Sequence, residues 1–245
     1  MAETVAFFRP DDERAERAAA ILGDLGVEPL SDPMLAVDPT GDAPRADAAF
    51  TVLTSKSGVE LASRAGWTPD GAVVAIGTAT AEKLQAHGYA VDRVPEEYSS
   101  AGLVEALADE VAGATVEVAR SDHGSAVLLD GLREAGAAVH ETVLYRLARP
   151  GGAGDSAELA AAGDLDAALF TSSLTVEHFF AAAADRGVHD EALAGLAGAV
   201  VGAIGEPTRE TVESAGVDVD VVPEKADFEA LACAVVEAAA PTYHE

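Results

Sequence analysis

Basic side chains are scarce in this chain. Fifteen Lys and Arg stand against 43 Asp and Glu, for a formal charge of −28. That deficit excludes a nucleic-acid binder working through a general basic face, because phosphate contacts need clustered Lys and Arg. It also argues against docking on anionic lipid. A single cysteine excludes a disulfide framework and any cysteine-rich zinc site. No apolar run reaches the roughly 18 residues that a membrane helix needs; the longest, 196–204 and 230–240, are short and rich in Ala and Gly. The first residues, Met-Ala-Glu-Thr-Val, place no basic stretch ahead of an apolar one. No secretory signal is therefore expected, and the cytoplasm is the expected location.

What is present is a globular chain. About half of its 245 residues are apolar, enough to bury a real core in one large domain or two small ones. The acids are interspersed with Ala, Gly and Val, and only Lys56, Lys83 and Lys225 are lysines. A dispersed acid excess with little Lys points to a halophilic, haloarchaeal source. At about 1 M salt, charge repulsion is screened over about 3 Å, and carboxylates keep the surface hydrated.

Short apolar strands alternate with helical patterns. Strands are expected at 3–8, 48–53, 72–76, 115–119, 167–170 and 199–204. Helices are expected at 11–25, 55–65, 78–87, 99–111, 125–135, 174–184 and 207–215, with a last helix from Asp227. This rhythm predicts parallel sheets with helices on both faces. Two segments break it: residues 28–45, with four prolines, and the strand 142–147 running into a Gly-rich loop. Both read as connections. The run from Ala75 to Glu96 aligns without gaps on the run from Ala203 to Glu224, with eleven of 22 positions identical. Leu53-Thr54-Ser55 likewise repeats as Phe170-Thr171-Ser172. A period this long is no solenoid and predicts two similar α/β domains.

The repeated strand-to-helix turns are where chemistry is expected. They are Thr54-Ser55-Lys56, Gly77 to Thr80, Thr171-Ser172-Ser173 and Gly205 to Thr208. Open α/β sheets bind ligands beyond the carboxyl ends of their strands, where helix N-termini favour anions. The same Ser and Thr residues serve equally as ordinary helix caps. Arg9 ends the first strand and either meets a carboxylate or lies in a solvated loop. Tyr145 either packs or turns its phenol toward a cleft. The six histidines lack metal-ligand spacing, Cys233 reads as a core residue, and no nucleotide-binding or serine-hydrolase motif is present.

The ordered motifs resemble uroporphyrinogen-III synthase. They are the strand ending in Arg9-Pro10, Leu53-Thr54-Ser55 with Val59-Glu60, and Gly77 to Ala81 with Gly88 and Pro95. Gly131 to Gly136 leading into Tyr145-Arg146 follows, and then the second copies at Phe170 to Ser173 and Gly205 to Thr208. The resemblance implies two flavodoxin-like parallel-sheet domains, one inserted in the other and joined by a two-stranded hinge. Residues 1–34 with 147–245 would form one lobe, 38–144 the inserted lobe, and 35–37 with 145–146 the hinge region. It implies a lyase that cyclises hydroxymethylbilane, a linear tetrapyrrole, to uroporphyrinogen III with loss of water and inversion of ring D. It implies no metal, no organic cofactor, no nucleic-acid or membrane partner, and a monomer. Tyr145 matches the family's proposed acid. Arg9, Thr54, Ser55, Lys56, Gly77, Thr80, Thr171, Ser172, Ser173, Gly205 and Thr208 match positions around the substrate. Glu206 and Arg209 depart from the first copy and make Thr208 less secure. The competing class is a non-catalytic two-lobed cytosolic binder of a tetrapyrrole or another small anion.

Overall fold

The computed structural model describes residues 3–240. It divides into two compact units: residues up to Ala36 with those from Ala148 on, and Val37–Leu147. In chain order the first unit opens with β1 (Thr4–Phe7), α1 (Glu13–Asp24) and β2 (Glu28–Ser31). The second unit runs from β3 (Ala36–Pro39) through β4 (Phe50–Leu53), α2 (Lys56–Arg64), β5 (Ala72–Ala75), α3 (Thr78–Ala86), α4 (Ser100–Leu107), β6 (Thr115–Ser121) and α5 (Ala126–Glu134) to β7 (Ala138–Ala148). The first unit resumes with α6 (Asp155–Ala162), β8 (Ala167–Phe170), α7 (Ser173–Asp185), α8 (His189–Leu196), β9 (Val200–Ala203), α9 (Glu206–Ser214) and α10 (Phe228–Ala239). None of these helices is long and apolar enough to cross a membrane.

Each unit has a sheet whose central strands run parallel and are buried on both faces. In the first, Ala6, Phe8, Ala168 and Phe170 join one core with α6, α7, α8 and α9. Val5, Phe7, Ala167 and Leu169 join the other with α1 and α10. Alternate residues of one strand point to opposite faces, so a strand apolar at every position needs helices on both sides. In the second unit, Leu53, Val73 and Ala119 face α2 and α3. Val52, Val74 and Val116 face α4 and α5.

The strand orders reveal how the units are related. The sheets run β2-β1-β8-β9 and β3-β7-β6-β4-β5. Each gains a further parallel bridge, Gly202 with Val221 in the first and Val74 with Arg93 in the second. The sequence repeat fixes the equivalence. The Ile76 amide donates to the Leu53 carbonyl at 3.1 Å, and the Ile204 amide to that of Phe170 at 3.0 Å. Asp92 and Asp220 accept from the amides of Val73 and Val201, each at 2.8 Å. So β4 matches β8, β5 matches β9, and β6 and β7 occupy the places of β1 and β2. The second unit is a circular permutation of the first.

Several sequence expectations need correction. The proline-rich segment contains a paired strand: β2 lies at a sheet edge, where Pro29 has no second neighbour to satisfy. The Ala-rich segments 155–162 and 189–196 form α6 and α8, which have too little amphipathic contrast to stand out by period. The helix expected to reach Val111 ends at Leu107. Cys233 is exposed: α10 buries Leu231, Ala232 and Val235 on one stripe and turns Cys233 away from it.

Asp32, just after β2, is buried and ties α6 down. Its carboxylate accepts from the amides of Gly154 (3.1 Å) and Ser156 (2.9 Å) and from the Ser156 hydroxyl (2.5 Å). Replacing Asp32 with Ala removes a cap and strands buried donors, at a cost of about 2 kcal/mol. Urea denaturation should register that loss; a midpoint unchanged from wild type would contradict it.

Candidate functional site

The carboxyl edge of each sheet carries two kinds of helix start. Ser55 and Ser172 are side-chain caps, in extended conformation, with hydroxyls accepting from the amides of Gly58 (3.0 Å) and Thr175 (3.3 Å). Gly77 and Gly205 begin α3 and α9 with no side-chain cap. In α3 the amides of Thr78 and Ala79 are left for water or a ligand at the positive end of the helix dipole; in α9 Pro207 has no N–H, so Glu206 alone offers a free first-turn amide. Each unit thus sets one serine-capped and one uncapped helix after adjacent strands.

Gly77 has a specific steric reason. A Cβ there would lie 3.1–3.3 Å from the ring of Tyr98, which is 58% exposed. An exposed aromatic face therefore lies against the uncapped start of α3. Sequence reasoning missed Tyr98, although the glycine just beyond β5 was visible. The space at Gly205 is open.

Tyr145 lies near the end of β7 and is buried, at 6% exposure. It packs with Leu53, Val59 and Leu144. Its hydroxyl donates to Ser55 Oγ at 2.9 Å. Ser55 Oγ also accepts from Gly58, so both lone pairs are used and its own proton is free to donate outward. Tyr145 both packs and bonds. The packing alternative describes the ring, the phenol is held by Ser55, and Ser55 is the more accessible member of the pair.

The other expected residues separate by environment. Thr54 is half-buried and Lys56 exposed at the start of α2. Thr80 and Thr208 are buried, at 5% and 4% exposure, and their amides bond to Gly77 and Gly205 at 3.1 Å. Thr171 is half-buried at the end of β8. Ser173 is occupied structurally: it donates to the Pro207 carbonyl at 3.0 Å and accepts from Thr211 at 2.8 Å, pinning α7 to α9. Arg209 bonds to Glu213 (2.7 Å) and Glu206 (3.4 Å) along the surface of α9, so that departure from the first copy is a local charge balance.

Arg9 follows β1. Its guanidinium carbon lies 4.6 Å above the Phe228 ring, a cation–π geometry, and its Nε is buried with no partner among the described residues. Burial, then the charge of Arg14, lower its pKa from the ordinary guanidinium value, and Asp12 partly offsets them. A guanidinium nevertheless stays charged at neutral pH. With Arg14, Arg17, Lys225 and Phe228, and with the acids Asp227 and Glu229, it lines a cavity of about 310 Å³. Sequence reasoning missed these neighbours, although Arg14 and Arg17 share a helix face by their spacing.

The structure thus gathers Thr54, Ser55, Lys56, Gly77, Thr80 and Tyr145 at one sheet edge. It gathers Arg9, Thr171, Ser172, Ser173, Gly205 and Thr208 at the other. Known proteins share this fold. The chain is similar to a uroporphyrinogen III synthase of Thermus thermophilus (TM-score 0.66, 20% identity, 97% of this chain and 98% of that one). It is similar to that of Helicobacter pylori (TM-score 0.64, 15% identity, 97% and 100%). At those identities the likeness speaks for the α/β fold with parallel sheets. In sequence it is 37% identical to a candidate uroporphyrinogen-III synthase of Methanothermobacter thermautotrophicus over 62% of this chain. The match spans 61% of that relative's length. The family model for uroporphyrinogen-III synthase HemD matches residues 16–233, and the chain therefore belongs to the uroporphyrinogen-III synthase family.

Proposed function

We propose that this protein is a lyase that cyclises hydroxymethylbilane to uroporphyrinogen III. The observation that carries the reading is the Tyr145–Ser55 hydrogen bond at 2.9 Å, on the same sheet edge as the uncapped start of α3. Family membership supports it.

The reaction needs a proton delivered to a leaving hydroxyl, and a positioned weak acid supplies that. Ser55 Oγ–H protonates the hydroxymethyl oxygen, the C–O bond breaks and water leaves. Tyr145 returns a proton to Ser55. The phenolate is reprotonated by the proton that the tetrapyrrole loses when its last ring recovers aromaticity. The uncapped amides at the start of α3 suit the substrate's carboxylates, and the exposed Tyr98 ring offers a face for a pyrrole. Holding a linear chain so that its ends meet is a proximity effect. Neutral donors also suit a chain of charge −28, which long-range attraction would not help to find an anion. The acid excess further suggests a halophilic source and a cytosol of high salt, where that repulsion is screened.

The order 2-1-3-4-5 within the first unit is the flavodoxin order. We take both units as flavodoxin-like, one inserted in the other and joined through 35–37 and 145–146.

The test is incubation with freshly made hydroxymethylbilane in molar salt, followed by oxidation and separation of the uroporphyrin isomers. Isomer III is expected in excess. Isomer I alone, at the spontaneous rate, would reduce the protein to a binder.

A further inference from the structure

The permutation between the units allows a residue-by-residue comparison of the two sheet centres. Val5 pairs with Ala167 where Val116 pairs with Phe50. Counting on along β1 and β6 from these pairs, Arg9 occupies the place of Arg120. The same register sets Ser31, beside Phe7, where Glu141 stands beside Val118. The two arginines have opposite fates. Arg120 is buried, with Nε donating to Glu141 at 2.7 Å and a terminal nitrogen to the Ser125 carbonyl. Arg9 has a serine where that glutamate would be, and no carboxylate within ion-pair reach among the described residues.

The rest of the slot differs in the same direction. Continuing the offset of the long repeat past its end, with the Ser99 and Asp227 amides bonded alike to the Glu97 and Lys225 carbonyls, Lys225 takes the place of Glu97, and Phe228, which carries the Arg9 guanidinium, takes the place of Ser100. Arg17 also has no ion-pair partner among the described residues. Arg14 and Lys225 bond to Asp12 and Asp227, at 2.6 and 2.7 Å. So four of the 15 basic residues in a chain of charge −28 converge on one cavity of about 310 Å³, against two acids in its lining, Asp227, which Lys225 pairs, and Glu229. It lies at the carboxyl end of β1, between the starts of α1 and α10. Its lining comes from the end of β1, the face of α1 that carries Arg14, Arg17, Ala18 and Ile21, and the start of α10. A cavity this size is at the small end of ligand sites, roughly 300–1,000 Å³. Unpaired guanidinium forks select planar carboxylates.

We propose that this cavity is a carboxylate-binding site, with Arg9 and Arg17 as its recognising groups and a small polycarboxylate as its ligand. The carboxylates come either from a free organic acid or from the side chains of a tetrapyrrole. Only the second source rests on the synthase reading above.

Citrate is a suitable probe, and calorimetric titration of the whole protein at fixed salt decides the matter. Wild type should bind citrate saturably. Arg17→Gln removes one fork, and Ser31→Glu rebuilds the Arg120–Glu141 pairing around Arg9. Each should weaken citrate at least tenfold. Absence of saturable binding by wild type overturns the proposal. So does an affinity unmoved by both substitutions, each of which lies at an exposed position. A second arm identifies the source. Citrate that raises the KM for hydroxymethylbilane assigns the site to tetrapyrrole carboxylates, whereas citrate that binds without moving KM assigns it to a free acid. A wild-type protein that makes no isomer III defeats the synthase reading, and the titration still decides the site.

Discussion

Tyr145→Phe should lower the rate of isomer III formation by about a hundredfold or more, with little change in KM. A positioned acid contributes about 10²–10⁴ in rate, and this substitution deletes the proton while keeping the ring. The ring is what packs: Tyr145 is buried among Leu53, Val59 and Leu144. Losing its bond to Ser55 costs about 1 kcal/mol of stability, because Ser55 retains the amide of Gly58. Ser55→Ala separates the relay from a direct phenol. If Ser55 carries the proton outward, both substitutions damage kcat and the double substitution adds little, since groups acting as a unit are not additive. Turnover at the wild-type rate in Tyr145→Phe would make the tyrosine a packing residue only.

Phe179→Ala should destabilise the first unit by about 3–5 kcal/mol, the range for a large aromatic removed from a core. Phe179 is fully buried and meets Phe8, Phe170 and Phe180 with ring centroids 5.3–5.7 Å apart, all three near edge-to-face. Three aromatic neighbours anchored just after β1, on β8 and on α7 itself have little freedom to collapse into the gap. Hydrogen exchange gives the local readout. Amides of β1 and β8 should exchange faster, while those of β6, whose core is built from different side chains, should keep their rates. Equal acceleration in both units would contradict the division into two separate cores.

The repeat makes the four turns legible from the sequence alone. Both copies keep the glycine before an uncapped helix and the serine before a capped one, and local chain geometry needs nothing more distant. The apolar strands were equally plain, because burial on both faces leaves no polar alternation to interrupt them. What stayed hidden depends on register or on distance. Ser55 and Tyr145 are 90 positions apart, and only the order β7-β6-β4 brings them to one edge. The different surroundings of Arg9 and Arg120 turn on Ser31 against Glu141, residues of neighbouring strands whose alignment no sequence period gives. β2 was hidden by Pro29, which is tolerated because the strand has a neighbour on one side alone. The α6 and α8 segments gave no signal because Ala and Gly on every side blur the contrast between faces.

The insertion of one unit in the other also sets a timetable for synthesis. The second unit is contiguous, so every strand of its sheet has emerged once residue 147 has. The first unit cannot close then. The Thr4 amide bonds to Asp166, 162 positions downstream, and β1 has only β2 beside it until β8 appears. At about 5–20 residues per second, Val5, Phe7 and Phe8 wait for roughly ten to thirty seconds with an open strand edge. The nascent chain is therefore most exposed to misassociation near its beginning, and a folding helper that engages early would recognise β1.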